Sequence, residues 1–161
     1  MLTFTVRPVS AADWPGIVAL EAATYRDLGL SEDPAHLRGR AGEGTSFVVE
    51  AGRDIAGYLL AFPFPYGRYP DLTADGTTVT GPAGLHLHDL VIAPEHRRGG
   101  LGSRLVSVLL AAARDVPYAR VSLVSVGGSH DFWARHGFRV RPEVPVSDGY
   151  GPGATYMSRL L

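Results

Sequence analysis

The chain has 161 residues, 45% of them hydrophobic and 19% charged, with a formal net charge of −1; this suits one ordinary domain with a real core and excludes a disordered chain. A sequence pI near 6.6 lacks the basic excess expected of a nucleic-acid binder. The absence of cysteine removes disulfides, thiolate metal sites and a cysteine nucleophile together, so acyl transfer through a thioester on the chain itself is excluded.

Met1 to Pro8 has neither the basic nor the apolar region of a signal peptide. No apolar run approaches the roughly 18 residues of a membrane span. A cytoplasmic protein with no membrane partner is therefore expected. Thr3 to Arg7 alternates β-formers with polar residues and reads as a strand. Ser10 followed by Asp13 is a helix-entry signal, with Pro15 inside the first turn and Ile17, Leu20 and Ala23 as the apolar face. A second, short helix is predicted over Asp33 to Arg40, with Pro34 at its first position.

Thr45 to Ala51 and Ile55 to Phe64 read as a hairpin across Gly52, Arg53 and Asp54. Between Pro63 and Pro82 the composition turns to proline, glycine, Tyr66, Tyr69 and Thr77 to Thr80, a long loop with room for a short strand. Such a loop reads either as a lid over a functional site or as a surface insertion. Leu85 to Ile92 is a strand closed by Pro94, followed by a glycine-rich turn and an amphipathic helix over Gly102 to Arg114. Arg120 to Val126 is a strand, Ser129 to His136 a short helix stopped by Gly137, and Phe138 to Arg141 and Ala154 to Leu160 are closing strands. Strands and helices thus alternate through a mixed sheet, an α/β (α+β) arrangement. No repeat or linker divides residues 1–161.

The segment His96-Arg97-Arg98-Gly99-Gly100-Leu101-Gly102-Ser103 follows a strand and opens a helix. Free amides and the positive end of the helix dipole bind anions there. Glycines allow close approach of a pyrophosphate, and arginines add charge-assisted contacts. The segment is not a P-loop, which needs Gly-Lys-Ser/Thr at its end. It is not a dinucleotide fingerprint either, because Leu105 stands where the third glycine is needed. What remains is R-x-x-G-x-G, spelled by Arg97, Gly100 and Gly102.

With the strand ahead of it, Leu85 to Leu109 resembles the central motif of the GNAT superfamily of acyl-CoA N-acyltransferases, P-x-x-R-x-x-G-x-G after an L-V-I strand. Ser129 to Phe138, SHDFWARHGF, resembles the family's next motif, usually F-Y-x-x-x-G-F, and Gly149 to Leu161 resembles the tail of small bacterial members. The resemblance covers most of the chain from about Thr45 onward. It implies the GNAT fold, with a central mixed, mostly antiparallel six- to seven-stranded sheet splayed at its middle and helices on both faces. It also implies a single N-acetyltransferase domain with acetyl-CoA (coenzyme A) as cosubstrate. Backbone groups of Leu90, Val91 and Ile92 would pair with the pantetheine arm. The amides of Arg97, Arg98, Gly99, Gly100, Leu101, Gly102 and Ser103 would hold the pyrophosphate. The amide near Leu90 would polarise the thioester carbonyl, and Gly127, Ser129, Phe132 and Trp133 would flank the sulfur end.

His86 and His88, two apart on one strand, point to one sheet face, with Leu85 and Leu87 on the other. Asp89 then falls on the apolar side unless the strand is bulged. An alkyl amine with a pKa near 10 is only about 0.1% neutral at pH 7, so a histidine that accepts its proton serves the reaction. The pair resembles the H-L-H on the equivalent strand of serotonin N-acetyltransferases, which makes both His86 and His88 candidate bases, with His86 the favoured one because histone acetyltransferases place a glutamate base at its position.

Two departures stand out. Trp133 replaces the tyrosine that many members use to reprotonate the departing thiolate, and indole cannot supply that proton. Tyr150, Tyr156 or water are the substitutes. Gly127 replaces a frequent asparagine. Phe138 reads as core, as Phe132 does beside its cofactor role, Arg38 and Arg40 as a solvated face, and His130 and His136 as no part of a metal site.

The expected reaction is direct transfer of acetyl in a ternary complex to the primary amine of a small molecule or peptide. The resemblance also admits a homodimer. Competing readings are a non-catalytic acyl-CoA sensor and a transferase of larger acyl groups or to hydroxyls.

Overall fold

The computed structural model describes residues 2–73 and 80–161. Seven strands form one sheet in the order β1-β2-β3-β4-β5-β7-β6. They are β1 (Phe4–Pro8), β2 (Phe47–Ala51), β3 (Asp54–Pro63), β4 (Leu85–Ile92), β5 (Arg120–Ser125), β6 (Arg139–Val140) and β7 (Thr155–Leu160). All pairings are antiparallel except β4 with β5. The helices are α1 (Trp14–Tyr25), α2 (Pro34–Arg38), α3 (Leu101–Ala112) and α4 (His130–Arg135). This mixed sheet with helices is the architecture expected from the sequence, and each described strand lies within a few residues of its predicted place. The predicted short strand around Thr77 to Thr80 falls, apart from Thr80, outside the described residues. No helix among the described residues is long and apolar enough to cross a membrane.

Two apolar layers cover the sheet. On one face Leu101, Leu105, Val106 and Leu109 of α3 pack with Leu85, Leu87, Leu123 and Met157, and Trp133 and Phe138 extend that layer. On the other, Trp14 and Ile17 of α1 and Leu37 of α2 pack on Val48, Tyr58, Leu60 and Val91. The strands read as nearly continuous apolar runs because both faces are covered.

The buried stripe of α1 keeps Ile17 and, in part, Leu20 of the predicted face. Trp14, Ile17 and Glu21 face inward and Ala23 faces out, so a carboxylate holds a place that helical periodicity assigns to an apolar residue. Arg40 is also reversed. It is 4% exposed and paired with Glu32, whereas its neighbour Arg38 lies exposed over the Trp14 ring.

The β3–β4 register shifts by one residue: Leu60 faces Asp89, Ala61 faces Leu87, and His88 has no partner. This is the bulge that the placement of Asp89 required. The extra residue returns Leu90 and Ile92 to the α3 layer and leaves His86, His88, Asp89 and Val91 on the α1 side. At Gly57, opposite Ile92, a Cβ would lie 2.6 Å from the Val91 carbonyl oxygen and 2.6 Å from Ile92 Cδ1. Gly57→Ala should therefore lower stability by about 1–3 kcal/mol through overpacking, read as a lower denaturation midpoint at unchanged slope.

Candidate active site

Strands β4 and β5 pair only at Leu85↔Val121 and His86↔Ser122. Beyond those pairs they diverge, leaving the β5-facing edge of β4 unpaired from Leu87 to Ile92. The gap is a cleft of about 470 Å³. Leu90, Val91 and Ile92 form one wall, and Val124, Val126 and Gly127 continue from β5 as the other. Arg97, Gly102, Ser129, Phe132 and Trp133 also line it. Residues from four separate sequence segments are thus brought together in one place.

The first backbone bond of α3 runs from the Arg104 amide to the Gly100 carbonyl, 3.0 Å. The amides of Leu101, Gly102 and Ser103 precede that ladder and point out of the helix mouth. Arg98 and Gly100 turn the loop in the left-handed region, at φ 68° and 79°. Arg97 is anchored by its Nε donating to the Ile92 carbonyl at 2.9 Å. Ser103 is tied by its Oγ to His136 Nε2, 3.0 Å. Arg98, Gly99, Gly100, Leu101 and Ser103 do not line the cleft. They sit around its α3 end, where Gly102 does.

Trp133 belongs both to the cleft wall and to the core. Its ring meets Phe132 and Phe138 edge-on at centroid distances of 4.9 and 5.6 Å. Phe132 also rests on Gly102, where a Cβ would lie 3.4 Å from the ring. Phe138 is buried in the core, as its reading required.

The two histidines have different surroundings. His86 is buried and lines neither cavity that His88 lines; it packs between Phe62 and Phe64, with Nδ1 3.4 Å from Ser122 Oγ. Burial, reinforced by the charges of His88 and Arg40, holds its pKa well below the ordinary histidine value. His88 lines the cleft. Its Nε2 meets Glu32 Oε2 at 2.5 Å, and its buried Nδ1 has no hydrogen-bond partner among the described residues.

Glu32 is the centre of this network. Arg40 Nη2 donates to its Oε1 at 3.0 Å and to the Asp71 carbonyl at 3.0 Å, and the Glu32 amide donates to Glu21 Oε2 at 2.8 Å. Burial alone would raise the Glu32 carboxyl, but the contacts with His88 and Arg40 outweigh it and hold the group below the usual carboxylate range. Asp89 accepts from Tyr58 at 2.6 Å and from Tyr25 at 2.8 Å. Burial raises its carboxyl to about 6 against the pull of His88 and the two phenols.

Glu21, Tyr25, Glu32 and Tyr58 were not singled out by sequence reasoning. The one available signal was Glu21 lying four residues after Ile17 on the buried stripe of α1. Of the tyrosines proposed as acids, Tyr156 accepts from the Gly67 amide at 2.9 Å, and Tyr150 donates to the Pro70 carbonyl. Neither lines the large cleft, whereas Tyr25 does. Tyr66 lies under Arg120, and Tyr69 donates to the Pro145 carbonyl and lines a separate cavity beside Tyr150. Among the described residues no group of histidines and acids could hold a metal ion.

The sequence profile of the acetyltransferase (GNAT) family matches residues 14–138. A search of curated proteins finds no match. Solved structures do match along nearly the whole chain. Ard1 from Thermoplasma volcanium is 19% identical, with 98% of this chain and 97% of that one covered and a TM-score of 0.72. The loading GNATL domain of CurA from Lyngbya majuscula is 16% identical, with 98% of each chain covered and a TM-score of 0.76. The polyamine N-acetyltransferase of Drosophila melanogaster is 18% identical, with 99% of each covered and a TM-score of 0.71. At such identities these likenesses speak for the fold.

Proposed function

This chain belongs to the acetyltransferase (GNAT) family, and on that premise we propose that it transfers acetyl from acetyl-CoA to a primary amine, with His88 as the base. The observation that carries the reading is the juxtaposition of an unpaired β4 edge, an α3 mouth with free amides, and His88 on one cleft.

The cleft fits the cosubstrate. The unpaired edge of β4 suits an arm added as an extra strand. The amides of Leu101, Gly102 and Ser103, with the Arg97 guanidinium beside them, suit a pyrophosphate. Bound acetyl-CoA supplies a thioester carbonyl for the amine to attack. Glu32, accepting at Nε2, keeps the His88 proton on that nitrogen and leaves the Nδ1 lone pair to take the amine's proton. His86, walled off by Phe62 and Phe64, has no path to that proton and supports the strand instead. Tyr25 is the phenol that lines the cleft, and a thiolate whose pKa is near 8.5 leaves with little help.

The direct test is release of free thiol from acetyl-CoA with an amine panel. The chain has no cysteine, so a thiol reagent reads coenzyme A without a protein background. Retention of acetyl-CoA in calorimetry with no thiol released by any amine would instead identify a sensor. Gly100→Val forces a β-branched residue into the left-handed region and should weaken acetyl-CoA binding by about tenfold or more. Unchanged affinity would remove the loop from the binding site.

A further inference from the structure

Resting on the transferase reading above, we infer that the acceptor is a slender alkylamine that enters as an ammonium ion, carries no carboxylate near its amino group, and is drawn in by Glu21 and Asp89. A side pocket of about 40 Å³ leads off the main cleft and shares Tyr25, His88 and Asp89 with it. Three carboxylates, Glu21, Glu32 and Asp89, line it, and neither lysine nor arginine does. Leu30 and Leu72 supply apolar wall.

The charges in the pocket are unevenly matched. Glu32 is paired with Arg40 and His88. Neither Glu21 nor Asp89 belongs to an ion pair among the described residues. Glu21 is 3% exposed and is held by the Ser31 hydroxyl and the Glu32 amide; Asp89 is held by two phenols. Neutral donors satisfy the oxygens and leave the charge without a counter-ion, which a buried carboxylate site favours taking up.

An independent observation points to the same occupant. His88, whose side chain is 4% exposed, lines this pocket and has its Nδ1 without a partner. An amine lodged there meets an acceptor for its proton. A primary ammonium offers three donors on a narrow head. The pocket's about 40 Å³ suits that head, with an unbranched chain left lying in the adjoining cleft. A carboxylate on the adjoining carbon would face the three acids and be repelled.

The test compares thiol release from acetyl-CoA with butylamine, glycine, alanine and a short peptide, for the intact chain and for Glu21→Gln. Butylamine should give the highest kcat/KM. Glu21→Gln should raise its KM about tenfold, as loss of a charged contact does, with a smaller change in kcat and an unchanged acetyl-CoA affinity. Preference for glycine, alanine or the peptide overturns the inference, as does an unchanged butylamine KM in a folded Glu21→Gln. If that variant fails to fold, the ranking on the intact chain decides alone. Acetyl-CoA binding with no turnover of any amine overturns the transferase reading itself.

Discussion

His88→Gln should lower kcat/KM for amine acetylation by about 10²–10⁴-fold at neutral pH, the range that a positioned base contributes, while His86→Gln leaves turnover largely intact. Glutamine at 88 can keep a hydrogen bond to Glu32 and fill the same space, so the expected loss is one of proton acceptance. Glu32→Gln should reduce the rate in the same direction, because it frees the imidazole to carry its proton on either nitrogen. Combined with His88→Gln it should add little, since the two residues act as one unit. Thiol release at saturating acetyl-CoA, alongside melting temperatures, measures all four proteins. Equal losses in His86→Gln and His88→Gln at equal melting temperature would assign the base to the wrong residue.

Arg40→Met should cost about 3–5 kcal/mol of stability, the usual consequence of removing one partner of a buried ion pair. For a chain of this size that is a fall in melting temperature of roughly 10 °C or more. Methionine replaces the apolar length of the side chain but leaves the buried Glu32 carboxylate without its guanidinium partner. The sign of the pH dependence follows from the Glu32 carboxyl lying below its ordinary value. Its contribution in the parent chain is present above the unfolded carboxylate range and is lost as pH falls through the folded value. The gap between parent and Arg40→Met should therefore hold down to the ordinary carboxylate range and narrow below it, and a gap that stays constant from about pH 5 to about pH 3 would contradict the account. The same variant should also turn over more slowly, because Arg40 joins Glu32 to the Asp71 carbonyl.

The fold was legible in the sequence because its signals are local. Strand runs bounded by glycine and proline, the entry at Ser10 and Asp13, and the R-x-x-G-x-G turn each depend on neighbours along the chain. The loop proposed to bind the anion was legible for the same reason, being one contiguous stretch of chain. The network proposed to handle the proton was not. Glu32 reaches His88 from 56 residues away and Tyr25 reaches Asp89 from 64, and no spacing records either meeting. Arg40 looked like a solvated charge because composition says nothing about the carboxylate that turns it inward. Glu21 was the partial exception, an acid on the buried stripe of α1. His86 and His88 looked equivalent on strand periodicity, and only the surrounding rings and cavities separate them.

One detail of β4 separates folding from chemistry. Because His88 stands opposite no residue of β3, a chain lacking it would form a regular ladder, with Leu87 and Leu90 still facing α3 and Asp89 still beneath its two phenols. The side chain proposed to take the proton is thus supernumerary to the sheet, lodged in it as a one-residue insertion. On that reading the ladder and the proposed proton acceptor make separate demands on β4, and only the second needs the extra residue.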